Sequence, residues 1–253
     1  WYWLSSRTAQ AEQLHQTVYA QYETMTAAVG QAALTVTEDG SPAGEYDLQV
    51  LGLYDDLMNK VTAQFSETDR MTDEQFAALG IREKLDWAKR EHAAPYACTV
   101  SMDKFDAAAV LADLRSMKRT APESAYTTLE DGVYTVHAEV PGTELNEAAV
   151  LDGLRAAASA LGVTADGPQD AEFELTSVDC YKQPDITTET LRDTPDSLFR
   201  TALAELEVKV TFNEEAAKYL PHGEETLTSH DLASIVDLDP DGAVTVDEKV
   251  LGE

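Results

Sequence analysis

Between Asp237 and Glu248 the chain reads D-L-D-P-D-G-A-V-T-V-D-E, which places oxygen donors where a calcium loop needs them. Asp237, Asp239 and Asp241 stand at positions 1, 3 and 5 of an EF-hand pattern, Gly242 at 6, Val244 at 8 and Glu248 at 12. The flanks argue for a different use. An EF-hand enters its second helix by about position 10, whereas A-V-T-V-D alternates and is β-branched, and Pro240 stiffens the segment that would wrap the ion. P-D-G is turn chemistry. The expectation is a tight reversal between two strands, with Val244 and Val246 directed into a core and Glu248 too far along to close a cage. No metal and no cofactor is expected.

The other reactive side chains are scattered. Cys98 and Cys180 have no metal-ligand spacing and no neighbouring histidine, and a C-x-x-C site is excluded. Outside the cell they could form one disulfide, and two buried thiols are the alternative. Of His15, His92, His137, His222 and His230, only the last two are near each other, without the carboxylate or cysteine spacing of a zinc site. Asp55-Asp56 and Glu214-Glu215 resemble glycosidase pairs, but adjacent carboxylates follow from composition in a chain with 47 Asp and Glu. Neither G-x-S-x-G nor a phosphate loop occurs. Trp87, Tyr96, Tyr126, Tyr134 and Tyr181 could stack on sugar rings, although core packing is the ordinary use of such residues.

The 47 acidic residues face 18 Lys and Arg in 253 residues, a formal charge of -29, which repels phosphate backbones and anionic headgroups and excludes nucleic acid as a partner. With 43% hydrophobic residues the chain can bury a sizeable core, and its length suits two modest domains. No run reaches the roughly 18 apolar residues of a membrane span. The opening W-Y-W-L, followed by polar S-S-R-T-A-Q, suggests a cut just after an anchor, with an expression remnant or a small hydrophobic contact as the alternative.

These residues must be positioned by the elements around them. Leu14, Val18, Met25 and Val29 recur at helical spacing from Ser5 to Val29, a narrow stripe suited to a stalk or packing arm. A-A-L-T-V-T then alternates as a strand, E-D-G-S-P-A-G is turn text, and Tyr46–Phe65 resumes a helical period. Helices follow around Thr72–Leu79 and Ile81–Glu91, then a strand at Tyr96–Val100. A further helix carries Phe105, Val110, Leu111 and Leu114, with Asp103 placed to cap it. Two alternating runs joined through Asp131-Gly132 read as a hairpin. Next come a helix from Asn146 to Leu161, a strand E-F-E-L-T-S-V, a helix near Pro195–Glu205 and a strand V-K-V-T-F. The text of Leu34–Leu57 is weakly echoed at Val208–Ile235, which suggests two related modules.

The run Arg119–Leu145, followed by E-F-E-L-T-S-V-D-C-Y-K-Q-P-D-I-T, resembles the extracellular peptidoglycan-binding modules that precede the YkuD-type catalytic domain of clostridial-type L,D-transpeptidases and also precede VanW-type domains. The shared features are Pro122, Ala125, the D-G-x-Y-x-V hairpin of Asp131–Val136, Glu139, Gly142 with Leu145, and Tyr181 with Pro184. The resemblance covers about Leu34 to the end, more loosely in the N-terminal third. YkuD domains carry S/T-H-G-C, with Cys as the nucleophile; here His222-Gly223 is followed by Glu224. The chain is therefore expected to lack the catalytic domain, to be no enzyme itself, and to be cut at both ends.

The fold expected is α+β: two related small modules of antiparallel strands with packed helices, behind an N-terminal helix. The expected boundaries are 1–30 for the stalk or packing helix, 31–179 for the first module and 180–253 for a truncated second one. The resemblance implies a non-catalytic, cell-wall-facing ectodomain on the outer side of the membrane, anchored through an absent N-terminal segment. It would position a missing C-terminal catalytic domain and contact peptidoglycan. Tyr126, Tyr134 and Tyr181 are the binding candidates. A structural spacer, an adhesion or pilus-like module, and a VanW-type surface protein are the alternatives.

Overall fold

A computed structural model describes residues 2–90, 92, 96–130, 133–175, 178–215, 218, 224–239, 241–247 and 249. The fold is α+β, an N-terminal helix followed by small, mainly antiparallel sheets with packed helices. The chain divides into two compact units, Trp1–Arg119 with Leu145–Tyr181, and Thr120–Glu144 with Lys182–Glu253.

In the first unit, helix α1 (Tyr2–Val29) runs without Pro or Gly and ends before Gly30. It buries Ala11, His15, Val18, Met25 and Val29, while Leu14, expected on this stripe, is exposed. The stripe packs on α2 (Tyr54–Gln64), α3 (Asp73–Ala77) and α4 (Ile81–Ala88), so α1 belongs to the core of this unit. Strand β1 (Ala33–Glu38) is central to a sheet in which β2 (Ser41–Asp47) pairs antiparallel and β8 (Ala171–Glu174) parallel. The text S-P-A-G-E-Y-D, expected as a turn running into a helix, is therefore an edge strand. Pro42 is tolerated there because an edge has no neighbour for the missing N–H, and the register shifts beside it between Val36 and Thr37. The helical period expected from Tyr46 begins only at Tyr54. Gly52 adopts φ +70 with the Lys104 carbonyl 2.7 Å from where a Cβ would stand, which no helix or other side chain allows.

A second sheet joins β3 (Ala97–Thr99), β6 (Gly162–Thr164) and β7 (Gly167–Gln169). Helix α5 (Ala108–Ser116) buries Val110 and Leu114; Asp106, rather than Asp103, accepts the Ala108 N–H at 2.8 Å. Helix α6 (Glu147–Ala158) buries Val150, Leu154 and Ala158. The core gathers these with Leu34, Val36, Leu48, Leu51, Leu53, Leu57, Val61, Phe76, Trp87, Leu161 and Leu175.

The second unit contains the hairpin β4 (Tyr126–Glu130) and β5 (Val133–His137), helices α7 (Thr188–Arg192) and α8 (Pro195–Ala204), the hairpin β9 (Val208–Thr211) and β10 (Glu224–Leu227), helix α9 (Ser229–Ala233), and the hairpin β11 (Val236–Leu238) and β12 (Val244–Val246). Among the described residues its buried side chains are few: Ala125, Leu191, Ser197, Leu203 and Leu232. The units are drawn differently from boundaries at 30/31 and 179/180. Residues 120–144 join the later segment because Ala125 N–H donates to the Ile186 carbonyl, Thr188 to Glu139, and Tyr134 to Ser197. Gly142 permits the fold-back that follows: a Cβ there would collide with Pro122 N and the Thr120 carbonyl.

The order helix, strand, strand, helix occurs in α1-β1-β2-α2 and again in α8-β9-β10-α9, with an antiparallel hairpin in each. The two differ in that β1 has β8 as a third strand, whereas the β9–β10 sheet is two-stranded among the described residues.

Candidate functional site

The three tyrosines expected to bind do not converge. Alternation along β4 and β5 puts Tyr126, Thr128 and His137 on one face of the hairpin and Tyr134 on the other. Tyr126 stacks on its cross-strand partner His137, with ring centroids 4.5 Å apart and planes 12° from parallel, and remains 54% exposed. The Thr128 hydroxyl lies 3.0 Å from His137 Nε2 and steadies the imidazole in that stack. Tyr134 instead donates its hydroxyl to Ser197 Oγ at 3.0 Å, fastening the hairpin to α8. Tyr181 belongs to the first unit and donates to Glu38 Oε1 at 2.7 Å; burial, reinforced by that bond, pushes its phenol up. Of the three, Tyr126 is the one that offers a ring to a ligand, and a flat aromatic on a sheet can stack against a sugar or peptide face. Trp87 and Tyr96 are buried in the core. The Asp131-Gly132 turn lies outside the described residues.

Neither cysteine is placed as an exposed nucleophile. Cys98 sits on β3 opposite Val163, and burial pushes its thiol up, outweighing Lys60, which acts the other way. Cys180 is buried, its carbonyl accepting the Asn146 N–H, and no disulfide joins the two. A thiol held protonated is a poor nucleophile at neutral pH.

The Asp237 segment is a hairpin turn. Val236 pairs with Val246, Asp237 with Thr245 and Leu238 with Val244. Asp239 Oδ1 accepts the N–H groups of Asp241 at 2.9 Å and Ala243 at 2.8 Å, and Gly242 takes φ +81. Asp239 thus spends its carboxylate on the turn backbone. Pro240 and Glu248 lie outside the described residues. Val244 and Val246, expected in a core, are 59% and 50% exposed, because this unit lays no element over that face among the described residues. Among the described residues no three His, Cys, Asp or Glu side chains are grouped to hold a metal. His222 lies outside them, and His230 is exposed. The Asp56 carboxyl is lowered first by its hydrogen bond from Lys60, one turn along α2, and it also accepts the Ser101 N–H beyond β3, so it is engaged with these partners rather than with Asp55. Glu214 and Glu215 are exposed.

The most elaborate polar cluster is one that spacing arguments passed over. His15 is fully buried, its ring stacked on Phe76 at 3.9 Å and edge-on to Trp87 at 5.4 Å. His15 Nε2 donates to the Thr68 carbonyl at 3.0 Å, leaving Nδ1 3.5 Å from Asp73 Oδ1. Beside it, Trp87 Nε1 donates to Asp69 Oδ1 at 2.7 Å, and Asp69 Oδ2 accepts the Ser66 N–H at 2.7 Å. Lys84, also buried, donates to Glu12 and to the Ala77 carbonyl, both at 2.7 Å. Closed in by aromatic rings, these groups knit α1 to α3 and α4. The available signal was His15 at helical spacing from Ala11 and Val18, a polar residue on an apolar stripe.

Open grooves occur among the described residues, including one of about 530 Å³ along α1 lined by Gln13, Thr17, Gln21, Thr24 and Ala165. Another of about 490 Å³ lies between α1 and α4 and is lined by Trp3, Arg7, Leu14, Leu85 and Lys89; a third, of about 660 Å³, lies along Ala233–Asp237 and Thr245–Asp247. None of these three is lined by Tyr126, Tyr134 or Tyr181. No family model, curated protein or solved structure matches the chain.

Proposed function

We propose that the chain is a non-catalytic, cell-wall-facing ectodomain of an L,D-transpeptidase-like protein, anchored at its N-terminal side. Its role is to position a catalytic domain carried elsewhere in the protein and to contact peptidoglycan. The reading rests on the resemblance of Arg119–Leu145 and Tyr181–Pro184. It is supported by Gly142, a shared position packed where a side chain could not fit. Contact with the wall is carried by one observation, the exposed Tyr126 ring held flat by His137. The buried thiols favour a non-catalytic role.

Co-sedimentation with purified sacculi tests this. The chain is expected in the pellet, with Tyr126→Ala moving most of it to the supernatant and Tyr134→Phe leaving it bound. A wild-type chain that stays in the supernatant overturns peptidoglycan contact. That outcome favours the structural spacer, a reading supported by the internal hydrogen bonds of Tyr134 and Tyr181. Turnover of a tetrapeptide stem by the chain would refute the non-catalytic reading.

A further inference from the structure

The chain leaves the first unit after Arg119, returns at Leu145 and leaves again after Tyr181. One carboxylate reaches both departure points. Glu38 Oε1 accepts the Tyr181 hydroxyl at 2.7 Å and the Arg119 Nη1–H as well. Tyr181 is also bridged through its backbone to Leu145, the point of return. Arg119 is further held by Nε donating to the Leu114 carbonyl at 3.3 Å, at the end of α5, and by Nη2 against Met117 Sδ.

Glu38 is well placed for this. It ends β1, pairs with Ser41 across the Asp39-Gly40 turn, and follows Thr37, whose carbonyl accepts the Leu175 N–H at 2.8 Å. Both turn residues take positive φ, 51 and 70, which makes the reversal tight and sets Glu38 at the tip of the hairpin. The side chains of Arg119 and Glu38 are only 11% and 22% exposed, so the pair is shielded from the screening that weakens surface ion pairs.

We propose that Glu38 is a latch: a single carboxylate that pins, on the tip of the β1–β2 hairpin, the places where the chain leaves and re-enters the first unit. Its distinguishing property is joint action. A partly buried guanidinium deprived of its only carboxylate partner among the described residues moves toward water. The phenol loses this acceptor at the same moment, so both departures loosen together although they lie 62 positions apart in sequence (181 minus 119).

Amide hydrogen exchange reads this directly, because hydrogen-bonded amides flank each junction: Thr120 and Thr143 on one side, Asn146 and Lys182 on the other. Glu38→Gln keeps the size of the side chain and removes its charge. The expected result is at least tenfold faster exchange at both junctions, with the amides of α1 and α6 unchanged. Acceleration at one junction alone, or at neither, overturns the latch. If Glu38→Gln loosens α1 equally, Tyr181→Phe decides. Loss of one hydroxyl should speed exchange at Asn146 and Lys182 and, through the shared carboxylate, at Thr120; unchanged exchange in that variant refutes joint action. The outcome is independent of whether the chain binds peptidoglycan.

Discussion

Replacing Asp69 by Ala should cost the first unit about 2–4 kcal/mol, more than its loop position would suggest. Asp69 is 6% exposed, and its two oxygens accept from different elements, Trp87 Nε1 on α4 and the Ser66 backbone, each at 2.7 Å. Hydrogen bonds to a charged acceptor contribute roughly 1.5–3 kcal/mol, and a buried donor left without a partner costs about 1–3 kcal/mol. The two donors do not count equally. Ser66 is exposed, so water replaces the lost oxygen there, whereas Trp87 is 2% exposed, enclosed by the rings of His15, Phe76 and His92, and its indole N–H loses its buried acceptor. Most of the loss therefore belongs to Trp87. Asp69→Asn, which keeps one acceptor oxygen, should lose only about 1 kcal/mol. Urea unfolding followed by far-UV circular dichroism measures each variant. A double-mutant cycle with Trp87→Phe isolates the pair: once the indole N–H is gone, Asp69→Ala orphans nothing buried, so the cycle should show coupling of about 1.5 kcal/mol or more. A loss under about 1 kcal/mol for Asp69→Ala, or strict additivity in the cycle, would refute the assignment of that cost to a buried indole.

Leu154→Ala should destabilise the first unit by about 2–5 kcal/mol, since Leu154 is fully buried on α6, and calorimetry would show it. Millimolar calcium should leave the melting temperature unchanged within error, because Asp239 is committed to the turn; a saturable rise abolished by Asp237→Ala would contradict the hairpin reading. Cys98 should resist iodoacetamide at neutral pH and react only at higher pH or on unfolding, because a raised thiol pKa leaves less thiolate at any given pH. The Glu139 carboxylate is lowered first by the Thr188 hydroxyl and then by backbone N–H groups, so its contribution to stability is present above the unfolded-state pKa and is lost as pH falls through the folded value. Carbon-detected titration should show that pKa rising toward the ordinary glutamate value in Thr188→Val.

Local geometry was legible in the sequence wherever spacing alone determines it. The helices α1, α6 and α8 follow from periodic apolar residues without interior Pro, the β4–β5 hairpin from alternation on either side of Asp-Gly, and the Asp237 turn from P-D-G followed by β-branched residues. Each depends on neighbours within a few positions, which is the range over which backbone preferences act. What tertiary structure decided depends on partners far away in the chain. S-P-A-G-E-Y-D became strand β2 because β1 offered it an edge. Residues 120–144 were claimed by Ile186, Thr188 and Ser197 rather than by the text preceding them. His15 displaced Leu14 from the buried stripe because Thr68, Phe76 and Trp87 enclose that side of α1. The tyrosines show the same division: their alternation along a strand assigns a face, but only the placement of Ser197 and Glu38 turned Tyr134 and Tyr181 into internal ties and left Tyr126 exposed. A side chain's type limits which bonds it can make, and the fold brings up the partner that selects among them.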